Sequence, residues 1–248
     1  MSKIRLNDIS TRAPKELEKD KVKKQLDDML VELDELQNLL YAESRHAVLV
    51  VIQGMDASGK DGAIRNVFGK LNPQGVQVKP FKVPTPEEAA HDFLWRIHQH
   101  TPAKGSIQIF NRSHYEDILV TRVHKWIDAD TAKKRMTAIN DFERLVCTHN
   151  STSILKFYLH VSQKEQLERL NERIRDPKKQ WKYNESDFSE SRLWDDYMSA
   201  YEDCFSNCDE QPWTIVPADQ NWYKEYVITS KVIQTLRDFD MKYPGIKK

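Results

Sequence analysis

Gly54-Met55-Asp56-Ala57-Ser58-Gly59-Lys60-Asp61-Gly62 is the stretch on which the fold turns. Before it runs Ala47-Val-Leu-Val-Val-Ile52, short, rich in β-branched residues and bounded by Gly54, the pattern of a strand buried on both faces. After it comes a helical pattern over about Lys60–Leu71. A glycine, four residues and then Gly59-Lys60 match the P-loop up to its last position. Glycines let backbone N–H groups turn inward onto phosphate oxygens, the new helix adds its positive N-terminal end, and Lys60 adds a full charge. Two positions depart from the usual loop. Asp61 stands where a Ser or Thr normally meets Mg2+. Asp56 puts a carboxylate inside a phosphate cradle, where two unit charges about 4 Å apart repel by about 4 kcal/mol at an effective dielectric near 20. Asp56 therefore reads as a ligand for Mg2+ or its water shell, as a general base, or as a loop-stabilising Asx-turn.

Outward from the loop, four more strands are expected at Val76–Phe81, Ser106–Phe110, Ile154–His160 and Trp213–Val216. Amphipathic helices are expected at about Lys60–Leu71, Pro86–Gln99, Thr131–His149, Gln163–Ile174, Glu185–Asn207 and Trp222–Lys242. Strands alternating with helices imply an α/β fold, a parallel five-stranded sheet with helices on both faces. Val22, Leu26, Met29, Leu33, Leu36 and Leu40 form one apolar stripe on a helix of about Ala13–Ala42. The stripe packs either on the domain or on a second subunit. We read one domain over 1–248, with an N-terminal helical extension over 1–44, a lid over about 169–190, and a mobile break near Asp176–Tyr183, where Pro177 opposes a helix.

Composition narrows the function classes. The 248 residues carry a formal net charge of zero with 31% charged side chains, so no basic domain for duplex nucleic acid is expected. There is no apolar run of about eighteen residues and no apolar N-terminal stretch of signal-peptide length, which predicts no membrane association and a cytoplasmic location. Three cysteines, Cys147, Cys204 and Cys208, fit reduced thiols better than a disulfide framework or a metal site.

The strand at Ser106–Phe110 runs into Asn111-Arg-Ser-His-Tyr-Glu-Asp117. In P-loop folds a neighbouring strand carries the acid that handles Mg2+. Glu116 and Asp117 follow the strand closely. Arg112 sits at its end, and its planar fork suits phosphate oxygens. His114 has two readings, phosphate contact or packing.

GMDASGKDG, NPQGVQVKPFKVPT, HDFLWRIHQH, FNRSHYEDILVTRVH, DPKKQWKYN, LWDDYMSAYE and VPADQNWY together resemble the polyphosphate kinase 2 family over about residues 40–235. The FNRSHYED form looks most like the family's single-domain class III; class I tends to carry Trp and Asn in place of His114 and Glu116. The resemblance implies a P-loop kinase fold and phosphoryl transfer between inorganic polyphosphate and nucleoside mono- or diphosphates (AMP, ADP, with GMP and GDP as further candidates). It implies Mg2+, with Mn2+ as the alternative ion. Asp56 and Asp61 are the family's normal residues in this loop. By position, Asp56, Lys60, Arg112, Asp117 and Arg173 match the family's reacting centre, with Asp56 and Asp117 holding the metal. Phosphate and nucleotide contacts are expected from Gly54, Met55, Ala57, Ser58, Gly59, Asp61 and Gly62, and from Asn111, Ser113, His114, Glu116 and Arg122. Asn221 stands where a lysine is expected, which points to weaker binding of the chain. A homo-oligomer, dimer or tetramer, is expected.

Arg169–Lys182 carries six cations against two acids, a net charge of +4, with Trp181 and Tyr183 interleaved. It reads as a solvated helix end or as a lid that closes over phosphates and excludes water, with Arg173, Lys178, Lys179 and Lys182 on the donor. Trp194, Tyr197 and Tyr201, and Trp95 beside His91 and His98, read as core rather than base-stacking. Two rival functions share the fold: an ATP-dependent nucleotide kinase, which normally carries Ser or Thr at position 61, and a non-catalytic nucleotide switch, against which the basic lid and the missing guanine-reading NKxD motif speak.

Overall fold

Ala47–Gln53 is buried along its whole length, and the molecule is organised around it. In the computed structural model, which describes residues 4–246, this strand (β1) follows a long helix, α1 (Lys19–Glu43). The chain continues through α2 (Lys60–Phe68), β2 (Val76–Pro80), α3 (Pro86–Ala89), α4 (Trp95–His98), β3 (Ile107–Asn111), α5 (Val120–Val123) and α6 (Ala129–Asn150). It ends with β4 (Thr152–His160), α7 (Gln163–Arg175), α8 (Glu185–Arg192), α9 (Trp194–Asn207), β5 (Trp213–Pro217) and α10 (Asn221–Arg237). All strand pairs are parallel, in the order β2-β3-β1-β4-β5. Two helix groups cover the sheet. In one, α1 packs on α10 and α10 on α2; in the other, α6 packs on β4 and on α9. Each fully buried Val, Leu or Ile of β1 contributes about 1.5–3 kcal/mol, so a charge at Val50, with zero exposure, would break the fold.

The five strands lie where the sequence places them, with ends shifted by one or two residues. The expected Pro86–Gln99 helix is two short ones. A capping box of Thr85 and Glu88 starts α3, but the Asp92 carboxylate accepts the Leu94 N–H at 2.9 Å, a local turn that competes with helix continuation. Glu185–Asn207 is likewise broken, at Leu193. Helix α1 begins at Lys19 rather than Ala13, because the preceding backbone is tied elsewhere: the Ala13 N–H donates to Gln220 Oε1 at 2.9 Å, and Thr11 Oγ1 to Asp219 Oδ2 at 2.8 Å. Val22, Leu26, Leu33 and Leu40 of the stripe are buried within the chain, with α1 laid along α10.

The register positions the site. Ile52 of β1 pairs with Asn111 of β3, and the Arg112 N–H donates to the Ile52 carbonyl at 3.1 Å. The turn after β3 therefore emerges beside the loop after β1. Because β1 is flanked by β3 and β4, this is also where the strand order reverses, the crevice at which open α/β sheets bind ligands.

Candidate active site

The loop between β1 and α2 has the backbone its glycines predict. Gly54 has φ +151° and Gly59 φ +96°. A Cβ on Gly54 would lie 2.8 Å from Ser58 Oγ and 3.0 Å from the Leu159 carbonyl, so only glycine fits there. Lys60 opens α2 and is buried, its Nζ donating to the carbonyls of Gly54 at 2.6 Å and Met55 at 3.0 Å. Burial, and after it the Arg112 charge, lower its pKa to about 8.

Facing the loop, Arg112 holds a positive φ of 61°, a strained conformation for a non-glycine residue. Its guanidinium forms a close ion pair with Asp56 and stands 3.9 Å from Glu116 Oε2. Burial works against its charge, but Asp56 and Glu116 outweigh it and raise its pKa. The Gln53 amide bridges Glu116 Oε1 (2.9 Å, nitrogen donating) and Ser113 Oγ (3.0 Å). Burial pushes the Glu116 pKa up. Asp61, at the start of α2, accepts from Asn111 Nδ2 at 2.9 Å and from Lys182 Nζ at 3.0 Å. Burial alone would raise its pKa, but these two partners bring it below the ordinary value. Lys182 thus carries the segment after α7 back onto the loop. Helix α7 stops at Arg175, one turn before Lys179. Arg173 pairs closely with Asp187 of α8, and Lys179 with Glu172 at 2.6 Å. Arg169, also on the cavity wall, braces the loop by donating to the carbonyls of Ala57 and Ser58, each at 3.1 Å, and of Ala218 at 2.8 Å.

Between these walls lies a cavity of about 710 Å³. Of the residues expected to act, it brings together Asp56, Ala57, Gly59, Lys60, Asp61 and Gly62 of the loop, Asn111 and Arg112 of the β3 end, and Arg173, Lys179 and Lys182 from the end of α7 and the segment after it. Gly54, Met55 and Ser58 form the loop's inner wall; Met55 and Ser58 are buried, and Lys60 reaches the carbonyls of Gly54 and Met55.

Other expected contacts lie apart. His114 has no exposure, and its ring packs against Tyr115 and Phe142 with neither nitrogen hydrogen-bonded. Burial lowers its pKa. Packing is its role, and the phosphate contact is corrected. Ser113, also with zero exposure, caps the short 3-10 helix at His114–Asp117 by accepting the Tyr115 N–H, so it too is withdrawn as a phosphate contact. Arg122 pairs with Asp203 of α9 at 2.8 Å and does not line the cavity. Lys178 is outside the lining as well. Asp117 does not line the cavity that Asp56 lines. Its carboxylate lies 3.3 Å from the Arg96 guanidinium, which also donates to the Lys82 carbonyl at 2.9 Å, and burial raises its pKa. Tyr197 and Tyr201 are core residues, the latter stacked on Phe205 and tilted against Tyr158.

Sequence reading missed Arg96, Asp187 and Lys224. Lys224 had a usable signal: it falls in the first turn of a helix that follows a strand's C-terminal end, as Lys60 does. Behind the β3 turn lies a closed charged cluster that was also missed. Lys156 Nζ donates to Glu143 Oε2 at 2.8 Å, Tyr115 Oη at 2.8 Å and the Cys208 carbonyl at 2.9 Å, and the Tyr115 hydroxyl donates to Glu143 Oε1 at 2.7 Å.

The donor set bears on a metal. Among the described residues no group of three or more His, Cys, Asp or Glu side chains is arranged to hold an ion. A site built from protein alone does not describe this cavity. Mg2+ commonly uses one or two carboxylates and takes its remaining oxygens from substrate phosphates and water, and Asp56, a carboxylate on the cavity wall with 22% side-chain exposure, suits that arrangement.

A parallel sheet with a phosphate loop at its switch point and a cation-lined cavity define a P-loop kinase. The sequence profile of Polyphosphate kinase 2 matches residues 16–244, and the chain belongs to that family. It is 48% identical over 214 residues to the AMP/ADP-polyphosphate phosphotransferase of Meiothermus ruber, covering 86% of this chain and 80% of the relative. It is 43% identical over 226 residues to the ADP-polyphosphate phosphotransferase of Rhodopseudomonas palustris, covering 86% and 78%. The crystal structure of Polyphosphate Kinase 2 from Arthrobacter aurescens TC1 superposes with a TM-score of 0.96 at 38% identity, covering 100% of this chain and 90% of that one.

Proposed function

We propose that this chain transfers phosphoryl groups between inorganic polyphosphate and nucleoside mono- or diphosphates, with AMP and ADP as the principal acceptors. The observation that carries the reading is one cavity in which Lys60, Arg112, Arg173, Lys179 and Lys182 converge on the phosphate loop. That many cations exceed what a single acceptor phosphate needs and suit a polyanionic donor. The two relatives named for AMP/ADP and ADP transfer support the same substrates.

In the forward direction an oxygen of the nucleotide's terminal phosphate attacks the end phosphorus of the chain. A new P–O bond forms, the bridging P–O bond breaks with its electron pair staying on the shortened chain, and the nucleotide gains one phosphate. Lys60 and the loop N–H groups hold the donor. Arg112 exchanges Asp56 for phosphate oxygens, as Arg173 exchanges Asp187, and both neutralise equatorial oxygens as charge shifts. A bound Mg2+ or Mn2+ would supply further neutralisation of phosphate charge. Asp56 would hold it, with Asp117 as a second carboxylate once freed from Arg96. To Glu116, 3.9 Å from Arg112 and outside the cavity lining, we assign an indirect bias, through Arg112, on the choice between a mono- and a diphosphate acceptor.

We take residues 1–248 as one catalytic unit with a helical extension over 1–44 and a lid over about 169–190. We propose a cytoplasmic enzyme and a homo-oligomer as part of the reading; among the described residues no helix is long and apolar enough to cross a membrane. The test is an activity panel of AMP, ADP, GMP and GDP as acceptors, with polyphosphate or ATP as donor. Polyphosphate is expected to support phosphorylation of AMP and ADP. Phosphorylation of AMP from ATP alone, with none from polyphosphate, overturns the reading.

A further inference from the structure

Helix α10 brings a second ammonium to the phosphate loop, and no step above uses it. Lys224 is 1% exposed. Its Nζ donates to the Gly59 carbonyl at 3.2 Å and to Asn221 Oδ1 at 2.8 Å. Both acceptors are neutral, and an ammonium carries three donors. The charges nearby are Arg169, whose Nε is engaged by Glu165 at 2.8 Å, and Glu225, whose carboxylate accepts from Asn66 Nδ2 at 2.7 Å. Burial first and Arg169 second bring the Lys224 pKa down to about 8. A buried cation held only by neutral acceptors is costly until an anion completes its shell. The place for that anion exists, since Lys224, Asn221 and Gly59 line the same cavity as Lys60. Lys60 reaches the Gly54 end of the loop and Lys224 the Gly59 end. At Gly59 any side chain would meet Lys224, since a Cβ there lies 2.4 Å from its Nζ.

We infer that Lys224 binds the donor's phosphate chain at the Gly59 end of the loop, one or more units away from the phosphoryl group being transferred. The inference rests on the function proposed above and adds a donor residue to it. On this side the cavity is lined by Gly59, Gly62, Asn66, Asn221, Lys224 and Glu225. These are glycines, amides and charges, with Arg169 beside them, while the cavity's two rings, Phe81 and Trp181, come from the β2 end and the segment after α7, so the lining around Lys224 suits a phosphate chain rather than a donor nucleoside. A linear polyanion carries charge on every unit and can meet Lys60 and Lys224 together. The exposed Asn221 then acts as the neutral support of that ammonium.

Steady-state kinetics with AMP or ADP, using tripolyphosphate and long-chain polyphosphate, test this in the wild type, Lys224→Met and Asn221→Asp. In Lys224→Met the KM for long chains is expected to rise about tenfold, the loss of one charge-assisted contact. The tripolyphosphate KM should rise less, and the nucleotide KM least. Asn221→Asp, which pairs the ammonium internally without touching the core, is expected to raise the long-chain KM in the same direction. It decides the matter if Lys224→Met does not fold. A wild-type long-chain KM in the folded Lys224→Met variant, or in Asn221→Asp, overturns the inference, as does an equal rise in donor and nucleotide KM. A wild type that does not use polyphosphate at all removes the functional reading, and this inference with it.

Discussion

Two charged clusters flank the turn after β3, and they differ in what their charges are for. In the closed one, Lys156 and Glu143 have zero side-chain exposure, and the ammonium meets a carboxylate, a phenol and a carbonyl. In the open one, Arg112 is 39% exposed and leans on Asp56, and Lys60 is held by two carbonyls of its own loop. The closed cluster is satisfied by the protein and anchors Tyr115, between Arg112 and Asp117. The open cluster pairs cations with partners that phosphate oxygens can replace. Charges satisfied internally hold the turn in place; exchangeable charges are available to a substrate.

The largest expected effect comes from breaking the closed cluster. Lys156→Met leaves Glu143 buried without its cation, which costs about 3–5 kcal/mol and should lower the melting temperature on the order of 10 °C. Lys156→Met with Glu143→Gln removes both charges, keeps an acceptor for Tyr115, and should recover most of the loss. Thermal denaturation of the three proteins checks this, and a double variant no more stable than the single one contradicts the pairing.

The open cluster should respond in the opposite way. Asp56→Asn is expected to reduce turnover by about 10²–10³, the scale of losing one group that stabilises transferring charge. The melting temperature should move by only a few degrees, as for partly exposed sites. Turnover within about threefold of wild type at saturating Mg2+ removes Asp56 from the reacting centre.

A milder comparison uses pH. Lys60 and Lys224 both have pKa values lowered to about 8. Each is charged below that pH and neutral above it, while a bound phosphate favours the charged form. Donor affinity is therefore at its full value below about pH 8 and declines as pH rises through it. The same linkage acts oppositely on stability: the unfolded lysines hold their protons up to their ordinary pKa near 10.4, so these two groups favour the folded state more as pH rises from about 8 toward that value. Measuring donor KM and melting temperature across pH 7–9.5 checks both signs, and a donor KM flat across that range contradicts the role of the ammoniums.

Much of this was legible in the chain. The buried run at Ala47–Ile52, the glycines at 54 and 59 and the lysine at 60 are local patterns, and each dictates backbone geometry within a few residues. Alternation of strands and helices gave the parallel sheet, and Pro177 marked the stop after α7. What escaped is long-range. Asp56 and Asp117 look equivalent as acids beside a phosphate site, yet one faces Arg112 and the other Arg96, because α4 delivers Arg96 to the β3 turn. His114 sits in the most informative motif of the β3 end but points into the core. The stripe of α1 shows that a face is buried without showing against what; α10 is the partner within the chain.

The amino-acid sequence by itself determined the strand, the loop, the order of the elements and the family. These follow from periodicity, backbone preference and motif spacing, which act over a handful of residues. Only the tertiary structure decided which cations and acids share the cavity, which are sealed away, and that Lys224 returns to the loop across 165 residues of chain. Those outcomes depend on packing between elements distant in sequence, where burial and the distance to an opposite charge set each group's role and where neither quantity can be read from neighbouring residues.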